Sequence, residues 1–316
     1  MRKVTVIGAG AVGSSIGYLL VTEDVASELV FIDVNKDKAF GEAMDIYQAT
    51  PFLSPAKVIC GEYADAAGSD IVVITSGVAR KPGQTRIDLA KINVGIIKSI
   101  TKEIVSVCPN AIYVIVANPL DVLTYTFIKN AGIPANRIIG SGTSLDTARL
   151  RAKLAEVFKV NPMQIDANCF GEHGDTQFIP WSLVRIGGVP VDEYVESMHT
   201  KYTDITGFDK EEILEYVKKS GGVIISKKGA TYNGVAAAVV HICKCIFNGA
   251  DNVLCVSTLL NGEYGVSDVC LSTLAVIGKD GVKTTLTPKL TKEEEEKFKI
   301  SAEAIKAVIK EANVEA

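Results

Sequence analysis

The chain has 316 residues, 47% hydrophobic and 22% charged, with a formal net charge of −4. That length suggests about two domains and a large core, and the weak acidity argues against nucleic acid or an anionic membrane as a partner. No apolar stretch approaches the roughly 20 residues that span a bilayer, and a strand predicted from residue 3 leaves no room for a leader, so a bacterial cytoplasm is the expected setting.

The first predicted strand, 3–7, runs into Gly8-Ala9-Gly10-Ala11-Val12-Gly13 and a predicted helix over 11–22. A second apolar run, 28–32, ends at Asp33, twenty residues past Gly13. Each part has a separate task in holding a dinucleotide. Gly8 permits the tight turn, Gly10 lets the backbone approach a pyrophosphate, and Gly13 lets helix pack on strand. The helix N-terminus offers free N–H groups to phosphate. Asp33 can accept hydrogen bonds from a ribose hydroxyl pair and would repel a 2′-phosphate, which favours NAD over NADP. A glycine-rich turn in another kind of α/β protein is the alternative, weakened because strand, glycines, helix and carboxylate occur in register.

Further strands are predicted at 57–60, 70–75, 112–116 and 137–139, alternating with helices at 36–49, 88–106 and 120–130. Continuous Val/Ile runs mark strands buried on both faces, so this half reads as a doubly wound parallel α/β sheet of the Rossmann type. The second half reads as α+β. Helices are predicted at 145–158, 209–218, 229–249 and 291–313, and antiparallel strands near 164–170, 180–186 and 271–278, with turns at Gly187-Gly188 and 278–281. Thr291 and Glu294 form a capping box for the last helix. A soft boundary divides the chain into a dinucleotide-binding domain, 1–142, and a substrate domain, 143–316. The seven cysteines are odd in number and hold no CxxC pair, so they read as reduced, buried small hydrophobes, and the three scattered histidines suggest no metal site.

Four segments carry chemistry. Gly171-Glu172-His173-Gly174-Asp175 presents an imidazole among glycines, which reads either as a packed loop histidine or as a proton carrier. Asp146 and Arg149 share one face of a helix start. The carboxylate could hold the imidazole and raise its pKa, and the arginine could grip a substrate carboxylate with two parallel hydrogen bonds. A surface ion pair is the plainer reading of that pair. The run from Gly77 to Arg86 follows a strand end, where open α/β sheets bind ligands, and has two glycines, a proline and three cations. It reads as a flap or as a solvated basic loop. Val116-Ala117-Asn118-Pro119 places an amide at another strand end.

Together these motifs resemble the L-lactate/malate dehydrogenase family, in its lactate-dehydrogenase-like branch, over nearly the whole chain. The resemblance implies NAD-dependent, L-specific oxidation of 2-hydroxy acids. It implies that His173 donates and accepts the proton, that Asp146 orients it, and that Arg149 binds the substrate carboxylate. Arg86 would close over the ketone with its loop, and Asn118 and Thr231 would border the substrate. For the cofactor it implies Gly8, Gly10, Ala11, Val12, Gly13, Asp33, Ser76, Gly77, Asn93, Val116 and Asn118. It also implies a homodimer or homotetramer. A non-catalytic NAD(H)-binding protein on the same fold is the competing class, disfavoured because it would not need His173, Asp146, Arg149 and Arg86 together.

In this family the residue six before the loop arginine reads the substrate side chain, and here it is Arg80. Family members using oxaloacetate have arginine there and those using pyruvate have glutamine. An arginine closed into a dry pocket needs a second substrate carboxylate to neutralise it, so malate and oxaloacetate are the expected pair, with lactate and pyruvate as the alternative. Two features point to that alternative, the Gln177–Ser182 run and Thr231. Some bacterial lactate enzymes also bind fructose 1,6-bisphosphate between subunits. Arg151 matches one of their basic positions, but Asp166 stands at the other and would repel phosphate, so no activation by this sugar phosphate is expected.

Overall fold

The computed structural model describes residues 2–79, 83, 85–198, 208–312 and 314. Six strands, β1 (Lys3–Ile7), β2 (Glu28–Ile32), β3 (Lys57–Cys60), β4 (Ile71–Ile74), β5 (Ile112–Ile115) and β6 (Ile138–Gly140), form the parallel sheet expected from their Val/Ile runs. Their order, β3-β2-β1-β4-β5-β6, reverses direction between β1 and β4 and opens a crevice at the carboxyl ends of those strands. Consecutive side chains point to opposite faces. Val4 and Val6 therefore pack with helices α1 (Ala11–Thr22), α2 (Lys36–Ala49) and α8 (Asn233–Asn248), whereas Val30, Ile32, Val72 and Ile74 pack with α3 (Arg86–Val107), α4 (Leu120–Ala131) and α9 (Lys292–Glu311). Both faces are covered, which is the environment that continuous apolar strands require.

The sheet does not stop at β6. Two long strands, β10 (Asn252–Asn261) and β11 (Ser267–Gly278), and the shorter β12 (Gly281–Thr285) extend it to nine strands, antiparallel, with Ser257 opposite Gly140. The second half thus completes the sheet of the first, besides forming its own layer. That layer joins α5 (Ser144–Phe158) and α7 (Lys210–Lys228) to a small sheet of β7 (Ile165–Asp166), β8 (Arg185–Ile186) and β9 (Val189–Pro190), with Leu150, Leu154, Phe158 and Val217 in its core.

Several expectations need correction here. The strand expected at 164–170 is only β7 plus a bridge between Phe170 and Phe178, and that at 180–186 is a short 3-10 turn followed by β8. Pro180 and the glycines near these runs interrupt the ladder. The helix expected at 209–218 continues through Gly221-Gly222 to Lys228, so its neighbour begins at Asn233 rather than 229. Neither β10, β12 nor α6 (Val191–Met198) was expected. The capping box of α9 forms as anticipated, with Thr291 and Glu294 exchanging side chain-to-backbone hydrogen bonds. Six of the seven free cysteines are buried, and Cys60 is partly exposed. Among the described residues no helix is long and apolar enough to cross a membrane.

Candidate active site

The dinucleotide cradle is built at the mouth of the crevice. Gly8 has φ +108°, a left-handed conformation that side chains rarely adopt, and a Cβ there would meet the Thr75 hydroxyl. A Cβ on Gly13 would run into the Gly8 carbonyl oxygen, so this glycine sets the approach of α1 to β1. Gly10, the N-cap of α1, differs: nothing stands within 4 Å of where its Cβ would lie. The open face of Gly10 adjoins the first N–H groups of α1, which have no acceptor inside the helix, a setting suited to a pyrophosphate. Asp33 closes the far side, its carboxylate accepting the Ala9 N–H at 2.6 Å and the Asn35 N–H at 2.8 Å. These residues fit a dinucleotide with unmodified ribose hydroxyls.

Beside the cradle lies a cavity of about 490 Å³, of the size that holds small ligands. The strand ends reach it through Gly77, Val116 and Asn118, and Asn93 braces that wall from α3, accepting the Val78 N–H at 2.9 Å and donating to the Asn118 carbonyl at 2.6 Å. Ser76 stands two residues past the β4 end. Opposite them stand His173, Asp146, Arg149 and Thr231.

The histidine is fixed from several directions. Gly171, at φ +91°, exchanges two backbone hydrogen bonds with Ser272 of β11, and the Glu172 N–H donates to the Ser301 hydroxyl of α9. His173 Nδ1 lies 2.6 Å from Asp146 Oδ2 on the first turn of α5. Arg149 Nη1 donates to the other oxygen of Asp146 at 3.0 Å. Asp146 is only 1% exposed, so these contacts operate in a low dielectric. Burial disfavours the imidazolium, yet the charge and hydrogen bond of Asp146 outweigh it, Asp121 adds to them and Arg149 opposes, leaving His173 above its ordinary pKa. With Nδ1 committed to the carboxylate, Nε2 is the nitrogen left to exchange a proton. The Arg149 Nε–H is buried without an acceptor among the described residues, a strong cost unless an anion meets it.

Arg86 is placed differently from the rest. It opens α3, pairs with Asp175 of the histidine loop at 2.6 Å, remains 62% exposed, and does not line the cavity. Arg80 lies outside the described residues. Arg151 and Asp166 do meet, 3.8 Å apart, with Arg151 also bonded to the Ala167 carbonyl. Residues that sequence reasoning passed over include Lys218, Gly221, Gly222 and Ile225, which line the cavity from α7, and Asp121 behind the histidine. The Asp121 signal was present: a lone acid in the apolar Pro119-Leu-Asp-Val-Leu run.

A dinucleotide cradle joined to a pocket with an acid-braced imidazole and a mostly covered guanidinium defines a nicotinamide-dependent oxidoreductase. Residues 2–140 match the family described as lactate/malate dehydrogenase, NAD binding domain, and residues 143–316 match lactate/malate dehydrogenase, alpha/beta C-terminal domain. The chain belongs to the lactate/malate dehydrogenase family, and its cofactor is NAD. It is 44% identical over 314 residues to the L-lactate dehydrogenase of Thermoanaerobacter pseudethanolicus, covering 99% of this chain and 100% of that one. It is 45% identical to L-lactate dehydrogenase 1 of Clostridium acetobutylicum, covering 96% of each. The crystal structure of MGS-M5, a lactate dehydrogenase from a Medee basin deep-sea metagenome library, superposes with a TM-score of 0.94 at 39% identity, covering 99% of this chain and 100% of that one.

These relatives overturn the expected malate/oxaloacetate specificity. That expectation rested on Arg80 alone. Arg80 lies outside the described residues, so the correction comes from the full-length relatives, which are named L-lactate dehydrogenase. Thr231, which pointed the other way, lines the cavity.

Proposed function

We propose that this chain is an NAD-dependent L-lactate dehydrogenase that interconverts L-lactate and pyruvate. The observation that carries this reading is the His173–Asp146–Arg149 constellation beside the cradle, in a chain whose full-length relatives bear that name. When bound in the cradle, NAD would supply the hydride chemistry at the substrate carbon. Arg149 grips the substrate carboxylate, offering its unpaired Nε–H. His173 Nε2 gives a proton to the carbonyl oxygen as negative charge builds there, and takes it back in the oxidative direction. Asp146 holds the ring and stabilises its charged form, and Arg86, at the start of α3, would steady the charge that builds on the ketone oxygen. Gly8, Gly10, Ala11, Val12, Gly13, Ser76, Gly77, Asn93, Val116 and Asn118 would hold the cofactor, Asp33 would hold its ribose, and Thr231 would border the substrate methyl. The division at residue 142 separates cofactor binding from most of the substrate wall. The free cysteines suit a reducing cytoplasm.

We also infer a homo-oligomer. Phe40, Met44 and Tyr47 form an exposed stripe along α2, continued by Phe52, which is 90% exposed. An apolar stripe of this kind is a surface that a partner covers.

The test is NADH oxidation with pyruvate, oxaloacetate and a branched 2-oxo acid side by side. The expected result is a kcat/KM for pyruvate at least about tenfold above the others, within the discrimination that charge and shape supply. A preference for oxaloacetate contradicts the reading.

A further inference from the structure

A second buried acid stands behind the catalytic histidine. Asp121, on the first turn of α4, is 1% exposed. Its Oδ2 accepts the His173 backbone N–H at 2.8 Å, and its Oδ1 accepts the Ser257 hydroxyl from β10 at 2.6 Å. It forms no ion pair with any described lysine or arginine. An ionised carboxylate this deep needs compensation, and two hydrogen bonds and a helix N-terminus supply only part of it. The remaining positive partner nearby is the imidazolium of His173 itself.

This arrangement ties three elements to one residue. The His173 ring is held by α5 through Asp146, and its main chain by α4 through Asp121, which β10 secures in turn. We propose that Asp121 is a positioning residue of the proton-transfer site, fixing the His173 main chain and providing a second negative charge that stabilises the protonated ring. The proposal rests on His173 as the proton carrier. The other charged groups around the ring are Asp146 and Arg149 on α5, Glu172 and Asp175 on its own loop, Arg86 of α3 paired with Asp175, and Lys218 of α7 across the cavity. Cys270 of β11, a neutral thiol, also faces Asp121. Burial lifts Asp121 to about 6, so it is mostly ionised at neutral pH, and its charge in turn favours the histidine proton.

The test is the pH profile of kcat for pyruvate reduction in Asp121→Asn, which keeps the shape and one acceptor oxygen but removes the charge. Loss of the negative charge is expected to move the inflection on the alkaline side down by about half to one pH unit, so that kcat at pH 8 falls about three- to tenfold, with KM for pyruvate within about twofold. Ser257→Ala, which removes one of the bonds that keep Asp121 ionised, is expected to move the inflection the same way by less. An unmoved inflection in a folded Asp121→Asn protein overturns the proposal. If that variant does not fold, an unmoved inflection in Ser257→Ala overturns it. His173→Asn separates the two levels: activity retained there sinks the proton-carrier reading itself, whereas an inactive His173→Asn beside an unchanged Asp121→Asn profile sinks only the role of Asp121.

Discussion

His173 has its character decided by neighbours that lie far from it in the chain. Asp146 precedes it by 27 residues and Asp121 by 52, and only the fold sets both beside it. The sequence pointed to Asp146 because it shares a motif with Arg149, but it gave no distance for Asp121, whose contact is with a backbone N–H rather than a side chain. The place of Asp33 was more legible, because a carboxylate at a fixed interval past Gly13 stands at the end of the second strand of such a fold, and here it accepts the Ala9 N–H of the glycine turn. It carries a prediction of its own. Asp33→Ser would remove the proposed acceptor for the ribose hydroxyls and the charge expected to repel a 2′-phosphate. KM for NADH is expected to rise about tenfold or more, the scale of a lost charge-assisted hydrogen bond, while the ratio of kcat/KM for NADPH to that for NADH increases. Steady-state kinetics with both nucleotides checks this, and an unchanged ratio argues that Asp33 does not face the ribose.

Helix α7 illustrates where local rules and the fold diverge. Gly221-Gly222 works against a helix locally, since interior glycines cost a helix about 1 kcal/mol each. The helix nevertheless runs through them, because Ile213 and Val217 anchor it in the core and Asp209 caps it. The parallel strands were easy to place because they are continuous Val/Ile runs. The antiparallel β10 was missed although Val253, Val256 and Thr258 carried strand preference, since polar residues interrupt its pattern. The two glycines of α7 are expected to respond differently to a methyl group. Gly222→Ala meets nothing within 4 Å and is expected to stabilise the protein by about 1 kcal/mol in urea titrations. Gly221→Ala places its methyl 3.4 Å from Arg149 Nη2 and is expected to raise KM for pyruvate as well. Equal, purely stabilising effects of both would mean that α7 does not shape the substrate wall.

For the molecule as a whole, the class of fold could be read from the alternation of strand and helix, but the nine-stranded sheet could not, because pairing of β10 with β6 joins residues more than a hundred positions apart. Assembly is a property of the same scale. A protein that leaves Phe40, Met44, Tyr47 and Phe52 uncovered on α2 and the turn after it is expected to run at a multiple of 33.7 kDa in light scattering, and Phe40→Glu with Phe52→Glu to shift it toward the monomer. A wild-type protein that is monomeric at micromolar concentration contradicts this. The chemistry proposed for the centre depends on one linkage, that between a buried acid and the imidazole whose proton affinity it raises. Because folding raises the proton affinity of His173 above its ordinary value of 6.5, the proposed pyruvate reduction is expected to decline only at a pH above that value. The most direct measurement is the pH dependence of kcat/KM for pyruvate in the wild-type protein and in Asp146→Asn. A drop in the alkaline inflection of about one pH unit or more in the variant is expected, and an inflection that stays where it was contradicts the role given to Asp146 and His173.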